Sequence, residues 1–160
     1  MPKFQIKETI HSHLIETVRL GPAGAANAYG NKEVGKAVKL AGDSQYNLCA
    51  LGDPVEAVIS SSELEIQGTV DTFAIGGIRK KGYKEVTFDG SQAAGTGAMA
   101  IGDYVVVGTV TAKGTALPGP LRVRTATNQA TAQAAVFKAR VVSLGTGAGA
   151  VGTVGIIEML

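Results

Sequence analysis

The stretch Gly102-Asp-Tyr-Val-Val-Val-Gly-Thr-Val110 predicts the fold class more clearly than any other part of the chain. Its glycine allows the positive φ of a tight turn, and its aspartate can accept a hydrogen bond from the turn backbone. The β-branched run that follows favours a strand, and its continuous valine content predicts burial on both faces. The same Gly-Asp pair precedes a second apolar segment at Gly52-Asp53, so we expect turns of this kind to start strands at two places.

Short apolar or alternating segments continue on both sides of this stretch, and glycine-containing turns separate them. Many short strands with evenly spaced turns are typical of a small β-barrel or a β-sandwich. The sequence therefore predicts an all-β fold of this kind. The predicted strands cover residues 36–41, 46–51, 55–60, 73–78, 83–88, 104–110, 121–127, 136–144 and 154–160.

The first 32 residues are less regular, although Phe4 and Ile6 alternate with polar residues and suggest a short strand. Residues 11–20 fit a strand or a short helix, and residues 21–31 have the small, flexible composition of a linker or an extended loop. We therefore expect an extended N-terminal arm or linker over residues 1–32 and one β-rich domain over residues 33–160. A domain of this length buries enough surface for a stable core without a metal ion or a disulfide.

Composition excludes several classes of protein. The chain has 160 residues, a net charge of +2 and 22 glycines, about twice the usual share. Its positive charge is scattered, whereas a dedicated nucleic-acid binder presents a concentrated basic face. With one cysteine no intramolecular disulfide can form. No secretory signal and no apolar run of transmembrane length is recognisable, so we expect a protein made in the cytoplasm without a membrane partner.

Two glycine-rich stretches superficially resemble nucleotide-binding loops. Gly147-Ala-Gly149-Ala-Val-Gly152 has the glycine spacing of a dinucleotide-binding turn. Such a turn is followed by a helix and an acidic residue, but the residues after Gly152 resemble a strand. Residues 90–97 lack the Lys-Ser/Thr ending of a phosphate loop. We interpret both stretches as loops that bind no cofactor.

The two histidines are the most plausible metal ligands in the sequence. His11 and His13 would share one face of a strand. A zinc site needs three or four ligands, and the nearby Glu8 and Glu16 form no recognisable set with them. We therefore expect no metal site.

A catalytic nucleophile is also not recognisable. Cys49 lies in an apolar strand with nothing nearby to lower its pKa, which favours a buried, inert thiol. Glu63 and Glu65 lie in a serine-rich stretch and are interpreted as solvated. We expect no catalytic, cofactor-binding or metal-binding residues, no cofactor and no enzymatic activity.

One basic cluster stands out, formed by Arg79, Lys80, Lys81 and Lys84. Such a cluster could contact an acidic partner or a nucleic acid. The aromatic platforms of a single-strand binder do not alternate with it. We therefore favour a solvated hairpin tip.

Several segments between Gly35 and the C-terminus resemble capsid decoration (head cement) proteins of tailed bacteriophages. The resemblance implies a β-barrel or β-tulip-like domain with an N-terminal arm that sits as a homotrimer on the outer capsid surface of the virion. It implies binding to the major capsid protein, stabilisation of the expanded shell, assembly in the host cytoplasm, and no direct contact with nucleic acid. The segments are Gly35-Lys-Ala-Val-Lys-Leu-Ala-Gly-Asp-Ser-Gln-Tyr-Asn-Leu, Ala50-Leu-Gly-Asp-Pro-Val-Glu-Ala-Val-Ile, Val86-Thr-Phe-Asp-Gly, Ala100-Ile-Gly-Asp-Tyr-Val-Val-Val-Gly, Arg140-Val-Val-Ser-Leu-Gly and the glycine-rich closing segment.

Three other functions remain open from the residues. The first is another phage structural protein, such as a tail tube, head-completion or fibre-associated component, which six-fold symmetry would distinguish from a trimer. The second is a carbohydrate-binding module, which usually presents exposed aromatic platforms. There is no tryptophan here, and the four tyrosines are dispersed. The third is an enzyme, which would need a convergent polar site.

Overall fold

The computed structural model describes residues 15–22, 29–62, 64–67, 72–90, 97–127, 129 and 139–160. As the sequence predicted, the fold is nearly all β. The described residues form two short 3₁₀ helices, at Asn31–Glu33 and Gly145–Gly147, and eleven strands. The strands are β1 (Ile15–Leu20), β2 (Ala37–Gly42), β3 (Gln45–Leu48), β4 (Ala57–Ile59), β5 (Leu64–Gln67), β6 (Thr72–Arg79), β7 (Gly82–Phe88), β8 (Val105–Val107), β9 (Leu121–Thr125), β10 (Ala139–Ser143) and β11 (Val154–Met159).

The first sheet closes into a five-stranded barrel. Its strand order is β1-β3-β2-β4-β6, and β1 pairs again with β6, antiparallel from Ile15↔Arg79 to Leu20↔Ala74. The β1–β3 pair is parallel. Strands β4 and β5 pair with different ends of β6, so together they act as one interrupted strand. Closure pairs the strand edges that would otherwise be exposed.

The second sheet is curled, with the strand order β10-β11-β7-β9-β8. Its two outer strands approach each other where Tyr104, just before β8, forms an antiparallel bridge with Arg140 of β10. Strand β6 of the barrel continues through Lys80 and Lys81 directly into β7. This connection joins the two sheets.

Two apolar cores follow from the alternation of side chains along the strands. In β2, Val38 points into the barrel core, which also contains Leu20 and Ile78. Its neighbour Ala37 points to the other side and joins the core of the curled sheet, where Phe88 is fully buried. The shared strand therefore packs the two sheets against each other.

Within the range of the expected arm, residues 1–32, Ile15–Leu20 form a strand of the barrel. The alternation of Val18, Arg19 and Leu20 is the reason, because Val18 and Leu20 are buried in the barrel core. Tyr29 is buried as well, and its hydroxyl oxygen accepts a hydrogen bond from the Leu48 amide at 2.9 Å. Residues 1–14 and 23–28 of the expected arm lie outside the described residues.

Candidate functional site: four matched turns

Four tight turns among the described residues share one geometry. In each, the N–H of the fourth residue donates to the carbonyl of the first residue at 3.1–3.2 Å. The third residue is a glycine with φ between +81° and +90°, while the second residue has no positive φ. This combination defines a type II turn, which needs glycine at its third position. The turns are Glu33-Val34-Gly35-Lys36, Ala50-Leu51-Gly52-Asp53, Ala100-Ile101-Gly102-Asp103 and Ala150-Val151-Gly152-Thr153.

Each turn is anchored to a buried residue of a neighbouring strand by two backbone hydrogen bonds. The turn glycine donates to the carbonyl of that residue, and the N–H of the same residue donates to the carbonyl of the fourth turn residue, at 2.7–3.0 Å. Because the anchor lies in the core, the turn is held at a fixed position. In chain order of the turns, the anchors are Ile59, Val107, Val141 and Phe88.

The N–H of the first residue is satisfied in two different ways. The Asp53 and Asp103 carboxylates accept it at 2.7 and 2.8 Å, as the Gly-Asp pattern predicted. In the turns that begin at Glu33 and Ala150, it donates to the carbonyl of Gly30 or Gly147, three residues earlier. Those two turns need no aspartate, so the Gly-Asp pattern could not identify them. The signal that could have found them is the aliphatic-glycine pair that all four turns share.

The second residue of every turn is an exposed aliphatic side chain. A single exposed aliphatic residue is ordinary on a protein surface, but the same feature at four matched and anchored positions is not. We call these side chains the turn tips. Their exposed fractions are 38% for Val34, 52% for Leu51, 68% for Ile101 and 45% for Val151.

Two of the tips, Ile101 and Val151, lie at the same end of the curled sheet. Strands β8 and β11 both lead away from their turns, and the pairing pattern makes these two strands run in the same direction. The turns are also neighbours, because the Met99 amide donates to the Gly149 carbonyl at 2.9 Å. We call Ile101 and Val151 the tip pair.

The Leu51 tip occupies a different place. Its turn is anchored to Val107, at the far end of β8 from the turn that carries Ile101. Leu51 therefore offers the same chemistry in the same type of turn, at the other end of β8.

The basic cluster does not form the expected solvated hairpin tip. Arg79 is 3% exposed, so the interpretation is wrong for this residue. Lys80 binds the Glu16 carboxylate at 2.6 Å and lies 5.4 Å from the centre of the Tyr46 ring. The hydrogen bonds with Glu16 and Tyr46 raise the pKa of Lys80. Lys81 is exposed, and Lys84 is half-buried.

Cys49 is buried, as predicted, and its thiol donates to the Pro54 carbonyl at 3.6 Å. Burial raises the pKa of Cys49 to about 12, with a smaller contribution from the Asp53 charge. Such a thiol stays protonated and unreactive while it is buried. The predicted glycine-rich loop at 147–152 forms the end of a 3₁₀ helix and a type II turn, and strand β11 follows it.

The remaining candidate residues from the sequence form no site among the residues that the structure describes. His11, His13 and Glu63 lie outside the described residues, as does the side chain of Glu65. Among the described residues, no group of three or more His, Cys, Asp and Glu side chains could hold a metal ion. The described residues also contain no helix long and apolar enough to cross a membrane.

We expect Asp53→Ala to lower the free energy of unfolding by about 1–3 kcal/mol. The Asp53 carboxylate accepts the Ala50 amide and also binds the Lys39 ammonium at 2.7 Å. Urea denaturation measures the change. The control is Asp43→Ala, in the exposed β2–β3 turn, which we expect to cost less than about 0.5 kcal/mol. Equal losses in the two variants would contradict a specific role for Asp53.

The stabilising effect of Asp53 should also depend on pH. Burial alone would raise the pKa of Asp53, but the hydrogen bonds from Lys39 and Ala50 outweigh this effect and lower it. The stabilisation by Asp53 is therefore fully present above about pH 4, the pKa of an aspartate in the unfolded chain. It is lost as the pH falls through the lower pKa that Asp53 has in the folded protein. The difference in stability between the wild type and Asp53→Ala should shrink below about pH 4.

No family model, no curated protein and no solved structure matches this chain.

Proposed function

We propose that this protein is a structural decoration protein of a tailed-phage head. It binds the outside of the shell, contacts neighbouring major capsid protein subunits and stabilises the expanded capsid. The observation that carries the proposal is the tip pair, in which two exposed aliphatic side chains stand on anchored turns at one end of the curled sheet. The resemblance of the segments between Gly35 and the C-terminus points to the same function.

Anchored turns suit a protein that docks on a large surface. Binding loses free energy when loops and side chains must become ordered at the interface. Here the backbone hydrogen bonds to Val141 and Phe88 already hold the two turns. The tips therefore present apolar surface at little additional entropic cost.

A tip pair covers only a small part of a stable interface, which usually buries about 800 Å² on each partner. We therefore propose that the protein binds as a homotrimer. Three copies of a weak contact in one particle raise the apparent affinity through effective concentration. The net charge of +2 is compatible with contacts to protein and solvent and gives no strong attraction to packaged DNA.

Sedimentation of the purified protein, alone and mixed with undecorated expanded phage heads, tests this proposal. We expect a trimer that sediments with the heads and saturates at a fixed stoichiometry. A ring of six-fold symmetry that does not bind heads would favour a tail component instead. A monomer without affinity for heads would contradict both virion functions.

A further inference from the structure

The connection between β8 and β9, residues 108–120, is a mostly exposed segment without strands that packs against the body of the protein. We call it the strap. Together with the body, it lines a small, partly open cavity of about 20 Å³. The body side of this cavity is formed by Lys36, Ala37, Leu48, Cys49, Val107 and Leu121.

The first residues of the strap are fixed to neighbouring strands. The Gly108 amide donates to the Arg122 carbonyl at 2.8 Å, and the Thr109 amide donates to the Asp89 carboxylate at 2.5 Å. Arg122 in turn donates to the same carboxylate at 2.6 Å. Since Leu121, directly after the strap, begins strand β9, both ends of the strap are held by regular structure.

The middle of the strap is held by two buried charged side chains, which we call the latch. Glu33 accepts a hydrogen bond from the Gly114 amide at 2.6 Å, and Lys36 donates to the Ala112 carbonyl at 2.9 Å. The two side chains are 3% and 5% exposed and lie 3.7 Å apart. Glu33 also accepts the Gly30 amide at 2.8 Å, so the body fixes the position of its carboxylate.

The carboxylate of the latch stays ionised at neutral pH. Burial alone would raise the pKa of Glu33, but hydrogen bonds from Gly114 and Gly30 and the charges of Lys36 and Lys113 lower it. Each latch bond to the strap is therefore charge-assisted and stronger than a neutral hydrogen bond. The strap itself has little regular structure, which makes it one of the first segments expected to open when the latch is lost.

We propose that the strap is a lid that opens as a unit when the latch breaks, and that opening uncovers the apolar cavity and the Cys49 thiol while both sheets stay folded. The carboxylate of Glu33 and the ammonium of Lys36 are the groups that keep it closed. This inference does not depend on the proposed function. It gives the fold a second, locally opened state.

Reaction of Cys49 with a soluble aromatic disulfide reagent tests the proposal, because Cys49 is the one thiol of the chain. In the wild type we expect labelling at low urea to depend only weakly on urea concentration, since local opening exposes little surface. Glu33→Gln keeps one acceptor oxygen but loses the charge that pairs with Lys36, and we expect labelling about 10- to 100-fold faster. Lys36→Met, which loses the donor to Ala112, should also label faster.

The matched control is Glu158→Gln, which removes a carboxylate that binds Arg140 at 2.9 Å away from the strap. We expect its labelling rate to stay within about twofold of the wild type, because exposed ion pairs contribute little. Global stability of every variant is measured in parallel by urea denaturation. The lid is refuted if labelling in the wild type and in the latch variants has the full urea dependence of global unfolding and follows global stability alone.

Discussion

Replacing Gly155 by alanine is expected to lower the free energy of unfolding by about 3 kcal/mol, at the upper end of overpacking effects. Gly155 lies in β11 opposite Val86 of β7. A Cβ atom at this position would overlap Cζ and Cε2 of the Phe88 ring and lie 2.5 Å from the Ser143 carbonyl oxygen. Because Phe88 is fully buried in the core of the curled sheet, its ring can move only by displacing the side chains packed around it.

Urea and thermal denaturation measure this loss, with Gly119→Ala as the matched control. A Cβ at Gly119 meets nothing within 4 Å, so we expect a change between zero and a gain of about 1 kcal/mol. Phe88→Leu removes the ring atoms that the new methyl group would overlap. The double variant should therefore be less destabilised than the sum of the two single variants. Equal stability of the Gly155→Ala and Gly119→Ala variants would contradict the packing argument.

The sequence predicted nine of the strands because their side chains alternate or form short β-branched runs between glycines. The strand predicted over residues 104–110 is too long at both ends, because Tyr104 precedes β8 and Val110 lies in the strap. Strand β1 was ambiguous because its apolar residues also fit a helical face. Strand β5 was not predicted, because it follows a serine-rich segment in which Glu63 and Glu65 look solvated. Closure of the barrel depends on the pairing of β1 with β6, which no local pattern specifies.

The candidate site could be predicted only where the turn chemistry is local. Gly-Asp identified the turns that begin at Ala50 and Ala100, because aspartate side chains satisfy their first amides. The latch could not be predicted, since Glu33 and Gly114 are 81 residues apart in sequence. Arg79 was misplaced for a similar reason. Its charge indicated a hairpin tip, but Arg79 is the last residue of β6 and is buried where the chain passes from one sheet to the other.

Replacing both members of the tip pair, Ile101→Asp with Val151→Asp, is expected to weaken binding to expanded phage heads by about 100-fold. This prediction rests on the proposed function. A central aliphatic contact replaced by a charge would bury an unpaired carboxylate at the interface. Both side chains are exposed in the free protein, and aspartate fits the second position of a type II turn. We therefore expect the stability of the free protein to change by less than about 0.5 kcal/mol.

The control is Leu51→Asp, which places one such carboxylate on the same type of turn at the other end of β8. Leu51 is 52% exposed, between the values for Val151 and Ile101, so the three positions have comparable exposure. If the tip pair forms the docking surface, Leu51→Asp should bind heads like the wild type in a saturation co-sedimentation assay. Equal weakening by Leu51→Asp would indicate a general effect of added negative charge, and unchanged binding of the tip-pair variant would place the capsid contact on another surface.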